Sequence, residues 1–122
     1  MNEEYRPRLA ITMGDAAGSG PEIITKTLAD LKVRAVSRPV VVGDAATMQA
    51  ALEITGVPGE VRAIEKLAEA SFREGVIEVI DLHNIQLDRL TRGWVDPMAG
   101  KAAYEYIKLA TEMALAGEVD AI

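Results

Sequence analysis

Apolar positions along the chain alternate between short continuous runs and longer stretches with helical spacing. Leu9-Ala10-Ile11-Thr12-Met13 is a nearly unbroken apolar run that stops at Gly14, as a strand buried on both faces of a parallel sheet does. Pro21 suits the first position of a following helix, and Glu22 the first turn, where a negative charge meets the positive end of the helix dipole. Ile23, Ile24, Thr27, Leu28 and Leu31 recur at helical spacing and predict one buried face. Pro39-Val40-Val41-Val42 is a second strand, closed by Gly43. A second helix is predicted through Met48, Ala51, Leu52 and Thr55, stopped by the turn residues Gly56, Pro58 and Gly59. Val61-Arg62-Ala63-Ile64 and the run from Gly75 to Leu82 are the next strand candidates. The stretch from Gln86 to Pro97 has no periodicity and is read as a connection.

Helical spacing returns from Ala99 to Ala116, with Ala103, Tyr106, Ile107, Ala110, Met113 and Ala114 on the face expected to be buried and Gly117 as the stop. Glu118-Val119-Asp120-Ala121-Ile122 reads as the start of another strand. Strands alternating with helices predict an α/β fold: an open, mostly parallel sheet with helices on both faces and right-handed crossovers. The final strand has room for only three residues after Val119. The sheet is therefore expected to be incomplete and residues 1–122 to form a single N-terminal α/β segment of a longer chain.

Composition narrows the function classes. With no cysteine, the chain has no disulfide, thiolate ligand or thiol nucleophile of its own, which suits a reducing, cytoplasmic setting. The net charge of −6 is spread along the sequence and speaks against electrostatic capture of nucleic acid or an anionic membrane. No apolar run approaches the roughly 20 residues of a membrane span. The acidic start, Met1-Asn2-Glu3-Glu4-Tyr5-Arg6, does not have the pattern of a signal peptide.

The candidate chemistry is concentrated in Met13-Gly14-Asp15-Ala16-Ala17-Gly18-Ser19-Gly20-Pro21-Glu22. Three glycines between a strand and a helix permit unusual torsions and the close approach of a ligand. Such a loop lies at the carboxyl edge of the sheet, where open α/β folds bind ligands, and the helix start behind it offers N–H groups to a phosphate or carboxylate. Its spacing, G-x-x-x-G-x-G, is neither the dinucleotide fingerprint G-x-G-x-x-G nor a nucleotide-triphosphate P-loop. Asp44 has two readings, an acid for an adenine ribose or an N-cap for the helix that follows, and the cap is the simpler. His83 is read as a strand-end histidine, because one histidine does not make a metal site. Lys101 and Glu105 are read as an exposed i,i+4 pair. Trp94, with Tyr104 and Tyr106 nearby, has two readings, packing or an interface, of which packing is the simpler; Met48, Met98 and Met113 are assigned to core filling.

The run from Ile11 to Ile23 resembles the N-terminal signature of the 4-hydroxythreonine-4-phosphate dehydrogenase family, I-T-x-G-[DE]-P-A-G-I-G-P-[ED]. That family includes the related 4-phospho-D-threonate and D-erythronate dehydrogenases. The run is also similar to the G-D-G-I-G-P-E loop of isocitrate and isopropylmalate dehydrogenases. A second match runs from Ala99 to Ile107 and on through Gly117 to Ile122. Ala16 stands where the family has Pro, Ser19 where it has Ile, and Asp96-Pro97 where a Ser is frequent.

The resemblance implies an isocitrate/isopropylmalate dehydrogenase-like fold and an NAD- and divalent-metal-dependent oxidation of a 4-phosphorylated hydroxy acid, followed by decarboxylation. It further implies a homodimer, with three metal-binding histidines and the catalytic residues beyond position 122. On that basis no catalytic or metal residue is assigned here, and neither cofactor is expected to be held firmly by this chain alone. Gly14, Asp15, Gly18 and Gly20 are expected to line the cleft where cofactor and substrate meet. The alternative reading is a free-standing binding module for a phosphorylated metabolite.

Overall fold

A computed structural model describes residues 5–122; the acidic residues 1–4 of the N-terminus lie outside the described residues. The elements in chain order are β1 (Arg8–Thr12), α1 (Gly20–Leu28), α2 (Leu31–Val36), β2 (Arg38–Gly43), α3 (Ala45–Thr55), β3 (Glu60–Ile64), β4 (Val76–Asp81) and α4 (Pro97–Leu115). The four strands form one parallel sheet in the order β1-β2-β4-β3. Val40, Val41 and Val42 of β2 are all fully buried, which requires cover on both faces and explains why this strand reads as a continuous apolar run.

The connections set which face each helix takes. The path β1 to β2 to β3 moves one way across the sheet and places α1 and α3 together, in contact, on one face. After β4 the chain turns back, and Ala121 forms a parallel bridge with Leu9 on the free side of β1. A right-handed crossover in that direction puts α4 on the opposite face, where it packs on β1 and β2. The sequence from Glu118 onward thus lies alongside β1, with Asp120 N–H donating to Arg8 O and Ala10 N–H to Ala121 O.

The helix faces differ from those expected. On α1 the buried positions are Pro21, Ile24, Thr25 and Leu28, while Ile23, Thr27 and Leu31 are exposed. Leu31 does not continue α1. The chain breaks at Ala29-Asp30, and the Asp30 carboxylate accepts Lys32 N–H to start the short helix α2, which the apolar pattern did not predict. On α4 the buried stripe is Ala99, Ala102, Tyr106, Ala110 and Met113, leaving Ile107 exposed. Both stripes keep helical spacing but are rotated from the expected faces; on α4 the rotation buries the small residues Ala99 and Ala102, which let that helix approach the sheet closely. Met48 and Met113 fill the core, whereas Met98 is half-buried and its Sδ accepts Gln86 N–H. Lys101 and Glu105 form no ion pair; the i,i+4 pair on α4 is Lys108 with Glu112, at 4.0 Å.

Glu78 and Arg34 are charged residues buried against the sheet. Glu78, in the middle of β4, sits opposite Arg62 of β3 in the strand register and pairs with it at 2.6 Å. Its carboxylate also accepts the N–H groups of Ser71 and Phe72, so it fastens the β3–β4 connection to the sheet. Arg34 of α2 donates to the carbonyls of Val76 and Arg73 at the start of β4. Burial pulls the Arg34 guanidinium below its ordinary value, opposed by the charges of Glu78 and Glu74.

Candidate functional site

The glycine loop leaves β1 at the carboxyl edge of the sheet. Met13 N–H still bonds to Val42 O at 3.0 Å, and Gly14 then turns the chain with φ of +77°, a region that favours glycine. Asp15 organises the next turn: its Oδ1 accepts Ala17 N–H at 2.8 Å and its carbonyl accepts Gly18 N–H at 3.0 Å. Ala16 and Ala17 point inward and are buried, while Asp15, Gly18 and Ser19 are exposed. Gly20 passes so close to the end of β1 that a Cβ there would lie 2.6 Å from Met13 O. Pro21 then starts α1 in the position expected from the sequence.

The connection after β4 crosses the carboxyl edge to meet this loop. Gly93, with φ of +81°, donates its N–H to Ala17 O at 2.8 Å, and the Arg92 guanidinium pairs with Glu22 of α1. Asp15, Ala17 and Gly18 on one side and Gly93, Trp94 and Val95 on the other enclose an open, mostly apolar recess of about 250 Å³. Of the four loop residues singled out in the sequence, Asp15 and Gly18 line this recess; Gly14 and Gly20 shape the turn behind it. Of the three aromatics only Tyr106 is buried; Trp94 and Tyr104 are exposed, which goes against the packing reading for these two. Trp94 was missed as a site residue because an isolated aromatic in an aperiodic segment carries no sign of which loop it will face.

The ends of β2 and β4 are neighbours, and the helices that follow them leave to opposite faces. This is the topological switch point of the sheet, where ligands of open α/β folds bind. Asp44 and Asp81 close these two strands. Asp44 is 1% exposed, and its Oδ2 accepts both Thr47 N–H and Thr47 Oγ1–H, which is the N-cap reading of the sequence. Asp81 Oδ1 accepts Ala45 N–H and His83 N–H. Ligand atoms of Asp44, Asp81 and His83 lie within 4.8 Å of one another, a proximity not foreseen from the sequence. Oxygen and imidazole donors of this type suit divalent cations. Each carboxylate also accepts backbone N–H groups with one of its oxygens, Asp44 Oδ2 at the start of α3 and Asp81 Oδ1 from Ala45 and His83, so both serve as caps.

Below this point, the Tyr106 hydroxyl donates to Asn84 Oδ1 at 2.7 Å. Burial pushes the Tyr106 phenol well above its ordinary range, reinforced by the negative charges of Asp44, Asp81 and Glu105. Asp96, at the position where a serine is frequent in the family that the sequence resembles, accepts Met98 N–H at 2.8 Å and caps α4, with Pro97 at its first turn.

Residues 35–122 match the family model of the pyridoxal phosphate biosynthetic protein PdxA. The chain belongs to this family. The match begins after the glycine loop, so the loop signature and the family match are separate observations. A Clostridium botulinum protein provisionally named D-threonate 4-phosphate dehydrogenase is 44% identical over 117 residues, which are 96% of this chain and 35% of that protein. The crystal structure of a 4-hydroxythreonine-4-phosphate dehydrogenase from Burkholderia phymatum superposes with a TM-score of 0.91 at 45% identity, covering 94% of this chain and 34% of that one. A dehydrogenase of the same name from Klebsiella pneumoniae gives 0.85 at 41% identity, covering 98% and 36%. The chain therefore spans about a third of the length of the relatives it matches. Among the described residues, no helix is long and apolar enough to cross a membrane.

Proposed function

We propose that this chain is the N-terminal portion of an NAD- and divalent-metal-dependent dehydrogenase that oxidises and decarboxylates a 4-phosphorylated hydroxy acid, either 4-hydroxythreonine 4-phosphate or a 4-phosphorylated threonate or erythronate. The observation that carries this reading is the glycine loop at the carboxyl edge of a parallel sheet, in a chain that belongs to the PdxA family. Relatives are named for 4-hydroxythreonine 4-phosphate and for D-threonate 4-phosphate, so both substrate classes remain in the proposal. Bound NAD would supply the hydride acceptor. Within this chain, Asp15 and Gly18 form one wall of the cleft that receives it, while Gly14 and Gly20 fix the shape of that wall. The metal ligands and the acid–base groups belong to the remaining two-thirds of the longer protein, which assembles as a homodimer, and the 122-residue chain alone is inactive.

The test is a chimera in which residues 1–122 replace the corresponding third of the Clostridium botulinum relative. The chimera is expected to reduce NAD with 4-phospho-D-threonate or 4-hydroxythreonine 4-phosphate, whereas the 122-residue chain alone gives no NADH. A chimera that folds and dimerises like its parent but turns over neither compound refutes the proposal, and so does turnover by the isolated chain.

A further inference from the structure

We infer that Trp94 and Asp15 form a seat for a cationic planar heteroaromatic ring, the pyridinium of an oxidised nicotinamide, in the recess beside the glycine loop. The inference deepens the dehydrogenase reading above and rests on it. Trp94 is 73% exposed and its neighbour Val95 fully so, yet the turn that carries them is tied down. Trp94 N–H bonds to Thr91 O, Gly93 N–H bonds to Ala17 O, and Arg92 pairs with Glu22. At φ of +81°, position 93 strains any side chain, so a glycine there lets the backbone of this turn lie against the loop. Trp94 lines the apolar recess opposite Asp15 and Gly18, and its largely exposed indole offers a ring face for stacking.

Size and charge select the occupant. A recess of about 250 Å³ is smaller than the roughly 300–1,000 Å³ of pockets that enclose a whole drug-sized ligand, so it holds one ring system rather than a dinucleotide. An anion is disfavoured there. Asp15 is an acid in the lining, its Oδ1 and carbonyl already occupy the N–H groups of Ala17 and Gly18, and Arg92, the cation of the facing turn, is paired with Glu22. A cationic ring gains twice, from the negative π face of the indole, the strongest of the aromatic side chains for this contact, and from the Asp15 charge. The oxidised nicotinamide carries that charge and the reduced ring does not, so the seat favours the oxidised cofactor.

The single tryptophan makes the test direct. In the full 122-residue chain, labelled with 15N, one indole N–H signal reports the recess. The probes are 1-methylnicotinamide, which is a permanent pyridinium without ribose or phosphate, neutral nicotinamide, and ribose 5-phosphate. The cation is expected to shift the Trp94 indole and the Gly18 and Gly93 amide signals saturably, and to bind about fivefold more tightly than neutral nicotinamide. Ribose 5-phosphate is expected to leave these signals in place. Asp15→Asn should remove most of the preference for the cation. Trp94→Ala, followed on the Gly18 amide, should weaken the cation about fivefold, and Trp94→Phe less.

Equal binding of cation and neutral ring, a response to ribose 5-phosphate at the same signals, or no saturable shift would each overturn the inference. If the chimera turns over substrate while 1-methylnicotinamide leaves Trp94 unmoved, the seat is wrong and the dehydrogenase reading stands. An inactive chimera whose recess still selects the cation gives the reverse result.

Discussion

Gly20 is the position where the geometry of the glycine loop makes the sharpest demand. Replacing it with alanine sets a methyl carbon 2.6 Å from the carbonyl oxygen of Met13. The obstructing atom is backbone at the end of β1 and Met13 is buried, so no side chain can rotate out of the way. Either the end of β1 or the first turn of α1 must move, and α1 carries Ile24 and Leu28 into the core against α3. Overpacking of this kind costs about 1–3 kcal/mol. The lost freedom of the unfolded chain returns some of that, typically about 0.4–1 kcal/mol for Gly→Ala. The net expectation is a loss of roughly 1–2 kcal/mol, equivalent to about 4–8 °C in Tm for a domain of this size. Gly18→Ala is the internal control: its added Cβ would sit 3.4 Å from Asp15 O, at the edge of ordinary contact, and should change stability by less than about 0.5 kcal/mol. Thermal unfolding followed by circular dichroism compares the two variants. A Gly20→Ala protein that melts with the parent, or with Gly18→Ala, would show that the close approach of α1 to β1 is not a constraint on the fold.

Two further outcomes follow from buried polar groups. Glu78→Ala strips Ser71 N–H and Phe72 N–H of their acceptor and Arg62 of its partner, and is expected to cost about 2–4 kcal/mol in urea denaturation; a change below about 0.5 kcal/mol would contradict the fastening role of Glu78. Tyr106 has its folded pKa raised, so the unfolded chain gives up the phenolic proton first, near pH 10, while the folded chain still holds it. Stability on this account is complete below about pH 10 and declines as the pH rises above it. Tyr106→Phe should flatten that decline, and an equally steep alkaline loss in the variant would refute the assignment.

The elements that were legible in the sequence are those specified locally. β1, β2 and β4 are apolar runs closed by Gly or Asp, and their identity does not depend on what packs against them. The caps were legible for the same reason: Asp44 precedes a helix, and its carboxylate reaches an N–H three residues on. What depends on tertiary placement was not. The buried stripe of α1 is set by contact with α3, so Ile23 and Thr27, which satisfy the helical period, face outward. The helix α2 has only six residues, too short to carry a period, and its start is signalled solely by Asp30. The pairing of Glu78 with Arg62 needs the β3–β4 register, and the meeting of Asp44 with Asp81 needs β4 rather than β3 beside β2. A strand order that departs from chain order leaves no trace in the apolar pattern of any one strand.

The glycine loop shows how far a motif can be taken before its neighbours must be known. From the sequence, glycines ahead of a helix suggest a cradle for phosphate, because a helix start concentrates N–H groups and positive potential. In the folded chain that potential is already answered. Asp15 binds the Ala17 amide with its side chain and the Gly18 amide with its carbonyl, Glu22 lies in the first turn of α1, and the guanidinium that reaches across from Arg92 is spent on Glu22. A phosphate brought to this recess would meet the Asp15 carboxylate, whereas a cationic ring would meet that carboxylate and an indole face together. The same glycines serve both occupants equally well, since they supply only close approach and torsional freedom. The choice between anion and ring is made by Asp15 and by Trp94, two residues 79 positions apart in sequence that the crossing segment after β4 brings to one recess.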